Sequence, residues 1–152
     1  MRGPNGEELP HAVLFACTMN AVRSPMAAAI MRQMFGRFVY VESVGVHAGA
    51  RDPFAEEVMD EIGIDMGRHR PKDFAALEDA SFDLIVTLSP EAHHRAMEMT
   101  RNLSVEVEYW PTFDPTALEG SREVKLDAYR TVRDALMRRI ETRFRAPLAG
   151  DV

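Results

Sequence analysis

Four short apolar runs alternate along this chain with four helix-patterned segments, and few folds accept that order. "HAVLFA" (11–16) reads as a strand buried on both faces. "SPMAAAIMRQMFGRF" (24–38) is helical by composition, with Ser24 placed as a cap, Pro25 in the first turn and Gly36 near the end. "VYVESVG" (39–45) is a second strand. "DPFAEEVMDEIGID" (52–65) is a helix that opens on Asp52 and Pro53 and closes at Gly63. "SFDLIVTLS" (81–89) is a third strand, "PEAHHRAMEMT" (90–100) a helix starting at a proline, and "VEVEYW" (105–110) a fourth strand. In the last segment (121–144), Val124, Ala128, Val132, Leu136, Ile140 and Phe144 recur every four residues beside Tyr129, which predicts an amphipathic helix with a core-facing stripe. The order βαβαβαβα implies one α/β domain: a four-stranded parallel sheet with helices on both faces. Such sheets bind ligands at the carboxyl ends of their strands, which singles out the loop after the first strand.

That loop holds the only cysteine of the chain. In "AVLFACTMNAVRSPM" (12–26), Cys17 closes the first strand and Arg23 and Ser24 follow six and seven residues later. A strand-to-helix loop presents backbone N–H groups at a helix N-terminus, where they and the helix dipole favour an anion. Arg23 adds a planar cation suited to two oxygens of a phosphate-like group. The same positive field favours a thiolate at Cys17, so the pattern describes a nucleophile at the base of an oxyanion cradle. A lone cysteine can also be an inert small hydrophobe, and a lone arginine a surface ion-pair residue. The Cys-x5-Arg-Ser spacing at this junction sets the pair apart. A phosphate monoester also needs its leaving oxygen protonated. Asp114, in the Pro-flanked "WPTFDPTALEG" (110–120) after the fourth strand, is placed for that at the same sheet edge. An Asp-Pro pair equally makes a turn or a helix start.

Composition narrows the remainder. The chain has 152 residues, 46% of them hydrophobic and 28% charged, as expected of one core. Its net charge of −6 argues against nucleic acid and anionic membranes as partners. No run approaches the roughly 18–20 apolar residues of a membrane span. Residues 1–10 lack an apolar signal core and read as a flexible extension, 11–146 as the domain and 147–152 as a tail. A single thiol allows no internal disulfide and fits a reducing cytoplasm. The five histidines, His11, His47, His69, His93 and His94, have no metal-ligand spacing, so no metal and no cofactor is expected.

"VLFACTMNAVRSPMAAAI", "ESVG", "GID", "FDLIVTLS" and "FDP" together resemble the low-molecular-weight protein tyrosine phosphatases and the arsenate reductases of the same fold, from about residue 12 to 145 and in the family's order. The larger tyrosine phosphatases carry a His before the Cys, where this chain has Ala16. The resemblance implies Cys17 as nucleophile, Arg23 as phosphate-binding arginine, and Thr18, Met19, Asn20, Ala21 and Val22 as the loop whose amides hold phosphate. It implies Asn20 and Ser24 as braces of the loop and the thiolate, Ser43 as a hydrogen-bond partner of Asn20, and Asp114 as general acid. The implied reaction passes through a phosphocysteine that water then hydrolyses, with phosphorylated protein side chains or a small phosphomonoester as substrate, and with inorganic phosphate or arsenate as ligand. A monomer or weak dimer in the cytoplasm is the expected state.

The chain departs from the family at several points. Met19 stands where most members have Gly, at a cost of about 1–2 kcal/mol if its φ is positive. Val22 stands where a second, protecting Cys is common. Thr116 and Ala117 replace the aromatics that follow Asp-Pro in tyrosine-specific members, and Ala21 leaves the choice of phosphorylated side chain open, phosphoarginine included. An arsenate reductase is the first alternative. The thioredoxin-coupled reductases use two more cysteines near Ser89 and Ala96, which this chain lacks, so an external thiol or glutaredoxin would have to resolve the Cys17 adduct. A non-catalytic phosphate- or phosphoprotein-binding module is the second; it would need neither Cys17 nor Asp114.

Overall fold

A computed structural model describes residues 3, 6–77 and 81–145 of the chain. Its elements run β1 (Ala12–Cys17), α1 (Arg23–Phe35), β2 (Tyr40–Gly45), α2 (Pro53–Asp60), β3 (Leu84–Thr87), α3 (Pro90–Met99), β4 (Glu106–Tyr109) and α4 (Arg122–Phe144), with 3₁₀ turns at Phe74–Ala76 and Pro115–Ala117. The four strands form one all-parallel sheet in the order β2-β1-β3-β4, so the architecture is the α/β fold that the alternation predicts. Every residue of β1 and of β3 is buried, as strands covered on both faces must be.

Alternation along β1 divides the core. Val13, Phe15 and Cys17 join the larger cluster under α1, α2 and α4, while Ala12, Leu14 and Ala16 join the smaller one with α3. Phe15, Trp110 and Phe144 form a chain of ring contacts, centroids 6.1 and 6.4 Å apart, which fastens the end of α4 beneath the sheet.

Local chemistry sets the helix starts. The Asp52 carboxylate accepts from the Phe54 and Ala55 amides, Ser89 from Ala92 and Ser121 from Val124. The first helix differs from expectation. It begins at Arg23 with Val22 at the cap position and no side-chain cap, because the Ser24 hydroxyl is committed elsewhere. The stripe of α4 also differs. Its buried residues are Leu126, Tyr129, Val132, Arg133, Leu136, Ile140 and Phe144, whereas Val124 is exposed and Ala128 half-buried. Steps of four residues drift about 40° around a helix each time, so a strict i+4 series leaves the buried face at its N-terminal end.

Packing begins before residue 11. Within the span read as a flexible extension, Glu7 is buried and Leu9 joins the larger core cluster. The tail expected at 147–152 lies outside the described residues. Among the described residues no helix is long and apolar enough to cross a membrane.

Candidate active site

Cys17 is the last residue of β1, and its Sγ lies at the open start of α1. The Ser24 Oγ is 2.9 Å from the sulfur and the Ser24 amide donates to it at 3.4 Å. A helix with no side-chain cap has unpaired amides at its first turn, and here the sulfur takes one of them. The Ser24 hydroxyl also reaches the Val44 carbonyl at 3.2 Å and accepts from Asn20 Nδ2 at 2.9 Å. Its one proton can serve the Val44 carbonyl while a thiol donates to Oγ, or turn to the sulfur when that is a thiolate.

The loop 17–22 is shaped from outside. The carbonyls of Cys17, Thr18 and Met19 accept from the amides of Val46, His47 and Gly49 at 3.1, 2.8 and 2.8 Å, and the carbonyl of Asn20 meets His69 Nε2 at 2.8 Å. A carbonyl only accepts, so this histidine nitrogen bears the proton. In trans peptides a carbonyl pointing outward sends the following N–H inward, so the amides of residues 18–21 face the interior of the loop. Four convergent N–H groups beside a helix start make an anion cradle. Gly45 allows the close fit: a Cβ there would lie 2.6 Å from the Asn20 nitrogen and 2.5 Å from the His47 oxygen.

Asn20 is the keystone of this turn. It is fully buried and adopts φ +53°, a left-handed conformation that Asn tolerates better than most residues. Its Nδ2 donates to Ser24 and, at 3.0 Å, to Ser43; its Oδ1 accepts from the Lys72 amide at 2.9 Å. Ser43 is itself buried. Met19 has no positive φ, so the strain expected there does not arise. Its side chain is exposed and lies over Gly49. Ala21 is half-buried and Val22 packs into the core.

Arg23 is buried to 8% exposure. Its Nη1 donates to the Thr112 carbonyl at 3.1 Å, while its Nη2 lies 3.5 Å from Thr18 Oγ1 and 3.8 Å from Asp114 Oδ2. Asp114 is more open, 43% exposed at its side chain, and its Oδ1 accepts from the Thr116 amide and hydroxyl at 3.0 and 2.7 Å. The structure therefore joins Cys17, Ser24, Asn20 and Ser43 in one hydrogen-bond network, and joins Arg23, which precedes Ser24 in α1, to Thr18, Thr112 and Asp114. The carboxylate also starts the 3₁₀ turn that follows, as the turn reading of Asp-Pro expects.

Three contributors carry no mark in the sequence. His69 sits in a loop distant from Cys17, and burial pushes its imidazole below the ordinary value against the raising effect of its bond to Asn20. The Lys72 amide and the Thr112 carbonyl act through backbone atoms, which every residue has.

A model of the family described as low molecular weight phosphotyrosine protein phosphatase matches residues 12–149. An arsenate reductase of Halalkalibacterium halodurans is 35% identical over 132 residues, 86% of this chain and 92% of that protein. Among solved structures, the Erwinia amylovora tyrosine phosphatase AmsI superposes with a TM-score of 0.75 over 91% of this chain and 95% of its own, at 17% identity, a likeness of fold alone. The YwlE arginine phosphatase, determined as a mutant with a phosphorylated active-site serine, superposes with a TM-score of 0.67 at 26% identity, covering 84% of this chain and 89% of that one.

Proposed function

Since the chain belongs to the low molecular weight phosphotyrosine protein phosphatase family, we propose that it is a cysteine-dependent phosphomonoester hydrolase acting on phosphorylated protein side chains. In the first step the Cys17 thiolate attacks phosphorus; the S–P bond forms as the bond to the leaving oxygen breaks, and Asp114 donates its proton to that oxygen. In the second, Asp114 takes a proton from water as the water oxygen attacks phosphorus, the S–P bond breaks and phosphate departs. The loop amides and Arg23 hold the equatorial oxygens, where charge spreads during transfer. Ser24 receives the thiolate once phosphate leaves. The observation that supports the reading is a sulfur at an uncapped helix start whose first residue, the buried Arg23, lies 3.8 Å from the solvent-open Asp114 carboxylate. A binding module would require neither the thiol nor the carboxylate.

Arsenate reduction is the second reading, favoured by the name of the relatives at 32–35% identity. It lacks an internal route for the electrons. Cys17 is the only thiol; Ser89 caps α3 and Ala96 is fully buried beneath it. Reduction would then depend on glutathione or glutaredoxin.

Hydrolysis of phenyl phosphate at mildly acidic pH tests the proposal. Cys17→Ser is expected to abolish turnover, and Asp114→Ala to lower kcat by roughly 10²- to 10⁴-fold. Absence of turnover in the wild type, with phosphate still shielding Cys17 from iodoacetate, would leave a binding role; arsenate reduction that requires glutaredoxin would establish the second reading.

A further inference from the structure

A recess of about 380 Å³ lies between the segment leaving β4 and one face of α4. Trp110, Thr112 and the exposed Phe113 line one side, and Val132, Ala135 and Leu136 the other. Neither Asp114 nor any of residues 17–24 lines it, so it is separate from the phosphate cradle. The two adjoin at Thr112, whose carbonyl accepts from Arg23 Nη1 at 3.1 Å. Backbone bonds fix this wall of the recess: the Trp110 and Thr112 amides donate to the carbonyls of Thr87 and Leu88 at 2.7 and 3.1 Å.

The polar side chains of the lining are satisfied within the fold, with one exception. The Trp110 indole donates to Glu108 at 3.1 Å, the Thr112 hydroxyl to the Trp110 carbonyl at 2.8 Å and the Thr131 hydroxyl to the Asp127 carbonyl at 2.9 Å. The exception is Arg139, the one charged residue of the lining. Its guanidinium sits over the Trp110 ring, 5.1 Å from the centroid, and meets no carboxylate within ion-pair distance among the described residues. The neighbouring carboxylates are taken: Arg133 holds Asp134, and Arg143 holds Glu106 and Glu108. A guanidinium stacked on a ring keeps its edge N–H groups open to the two oxygens of a carboxylate.

We propose that this recess binds a small monocarboxylate with an apolar, ring-containing body, the body against Trp110 and Leu136 and the carboxylate on Arg139. At the packing density of protein interiors the volume takes about ten to fifteen non-hydrogen atoms, the size of an aryl acid and far below that of a protein interface. A ligand so placed packs on the segment that holds Arg23 and carries Asp114, without entering the cradle.

Trp110 is the only tryptophan of the chain, so its emission reports on the recess. The test titrates the wild type with 4-phenylbutyrate and with 4-phenylbutyramide, each in saturating inorganic phosphate to occupy the cradle. A saturable change with the acid is expected, with a Kd of about 1 mM or below, and binding of the amide about three- to fivefold weaker, the range of one partly exposed ion pair. Arg139→Gln lowers the acid to the affinity of the amide. Ala135→Phe, at an exposed helix position, fills the recess and abolishes binding of both; circular dichroism verifies that each variant is folded. Equal binding of acid and amide by the wild type, a preference that persists in Arg139→Gln, or binding untouched by Ala135→Phe overturns the proposal. The absence of any saturable response overturns it too, as does a response seen only without phosphate, which places the acid in the cradle.

Discussion

At the residue scale, Asn20 combines two demands that are seldom met by one side chain. The turn requires φ +53°, and the buried space beneath it requires two donors and an acceptor for Ser24, Ser43 and the Lys72 amide. Substitutions can separate them. Asn20→Gly keeps the backbone free but strands the three partners, a loss of about 2–3 kcal/mol with a fall in kcat/KM as Ser24 loses its orientation. Asn20→Ala adds a left-handed alanine and is expected to cost about 1 kcal/mol more while lowering kcat/KM to the same extent. Urea unfolding alongside aryl phosphate turnover checks both; equal stability of the two variants would show that the backbone carries no strain. The positions of Cys17, Arg23 and Ser24 were legible in the sequence because their spacing is local and their side chains are chemically distinctive. The work of Ser24 was only half legible, since a serine before a helical run also reads as a cap, and the contact with sulfur depends on how β1 aims Cys17.

At the element scale, Asp52 joins two helices that are far apart in the chain. One oxygen caps α2 and the other receives the Tyr129 hydroxyl from α4. Burial first, and then Asp52, push the Tyr129 phenol up, so it remains a donor. Asp52→Ala removes the cap and this bond together, and a loss of about 2–3 kcal/mol is expected. Asp52→Asn keeps an oxygen for the α2 amides and sets an NH2 donor against the Tyr129 hydroxyl, which can turn to accept, so it should lose less than Asp52→Ala; thermal melts of the two variants decide it. The same pairing of helices is reinforced by Glu61, which Arg130 and Arg133 clasp. The cap at Asp52 was visible in "DP" because caps are local. Its second bond was not, because nothing in the sequence states that residue 129 returns to residue 52. The face of α4 was misjudged for a related reason: regular spacing identifies the helix, but the partners decide which stripe is buried.

At the scale of the whole molecule, stability should fall in acid in two stages. His69 is held below its ordinary value of 6.5, chiefly by burial, so the unfolded chain takes up its proton first. The folded state is therefore fully favoured above about pH 6.5 and loses stability as pH falls from there towards the folded value. Glu61 is lowered from 4.5 to about 2 by its bonds to Arg130 and then Arg133, so its share is present above 4.5 and is lost between there and about 2. Urea midpoints measured from pH 8 to pH 3 should decline for the wild type between pH 7 and 5.5, and much less for His69→Gln in that window. Below pH 4.5 both should decline together. A His69→Gln curve parallel to the wild type throughout would place the first stage elsewhere.

Strand and helix order, the parallel sheet and the place of the cysteine loop followed from the sequence alone, because hydrophobic period, caps and a strand-loop-helix junction are properties of neighbouring residues. The tertiary structure decided what converges on that loop. It directed the amides of Val46, His47 and Gly49 and the imidazole of His69 onto four carbonyls, turned the loop N–H groups inward, and set Thr112 and Asp114 against Arg23 across 89 and 91 positions of chain. It also opened the recess in which Trp110, Phe113 and Arg139 meet. These contacts use backbone atoms and ordinary side chains, so their identity is a matter of where the packed sheet and helices place them.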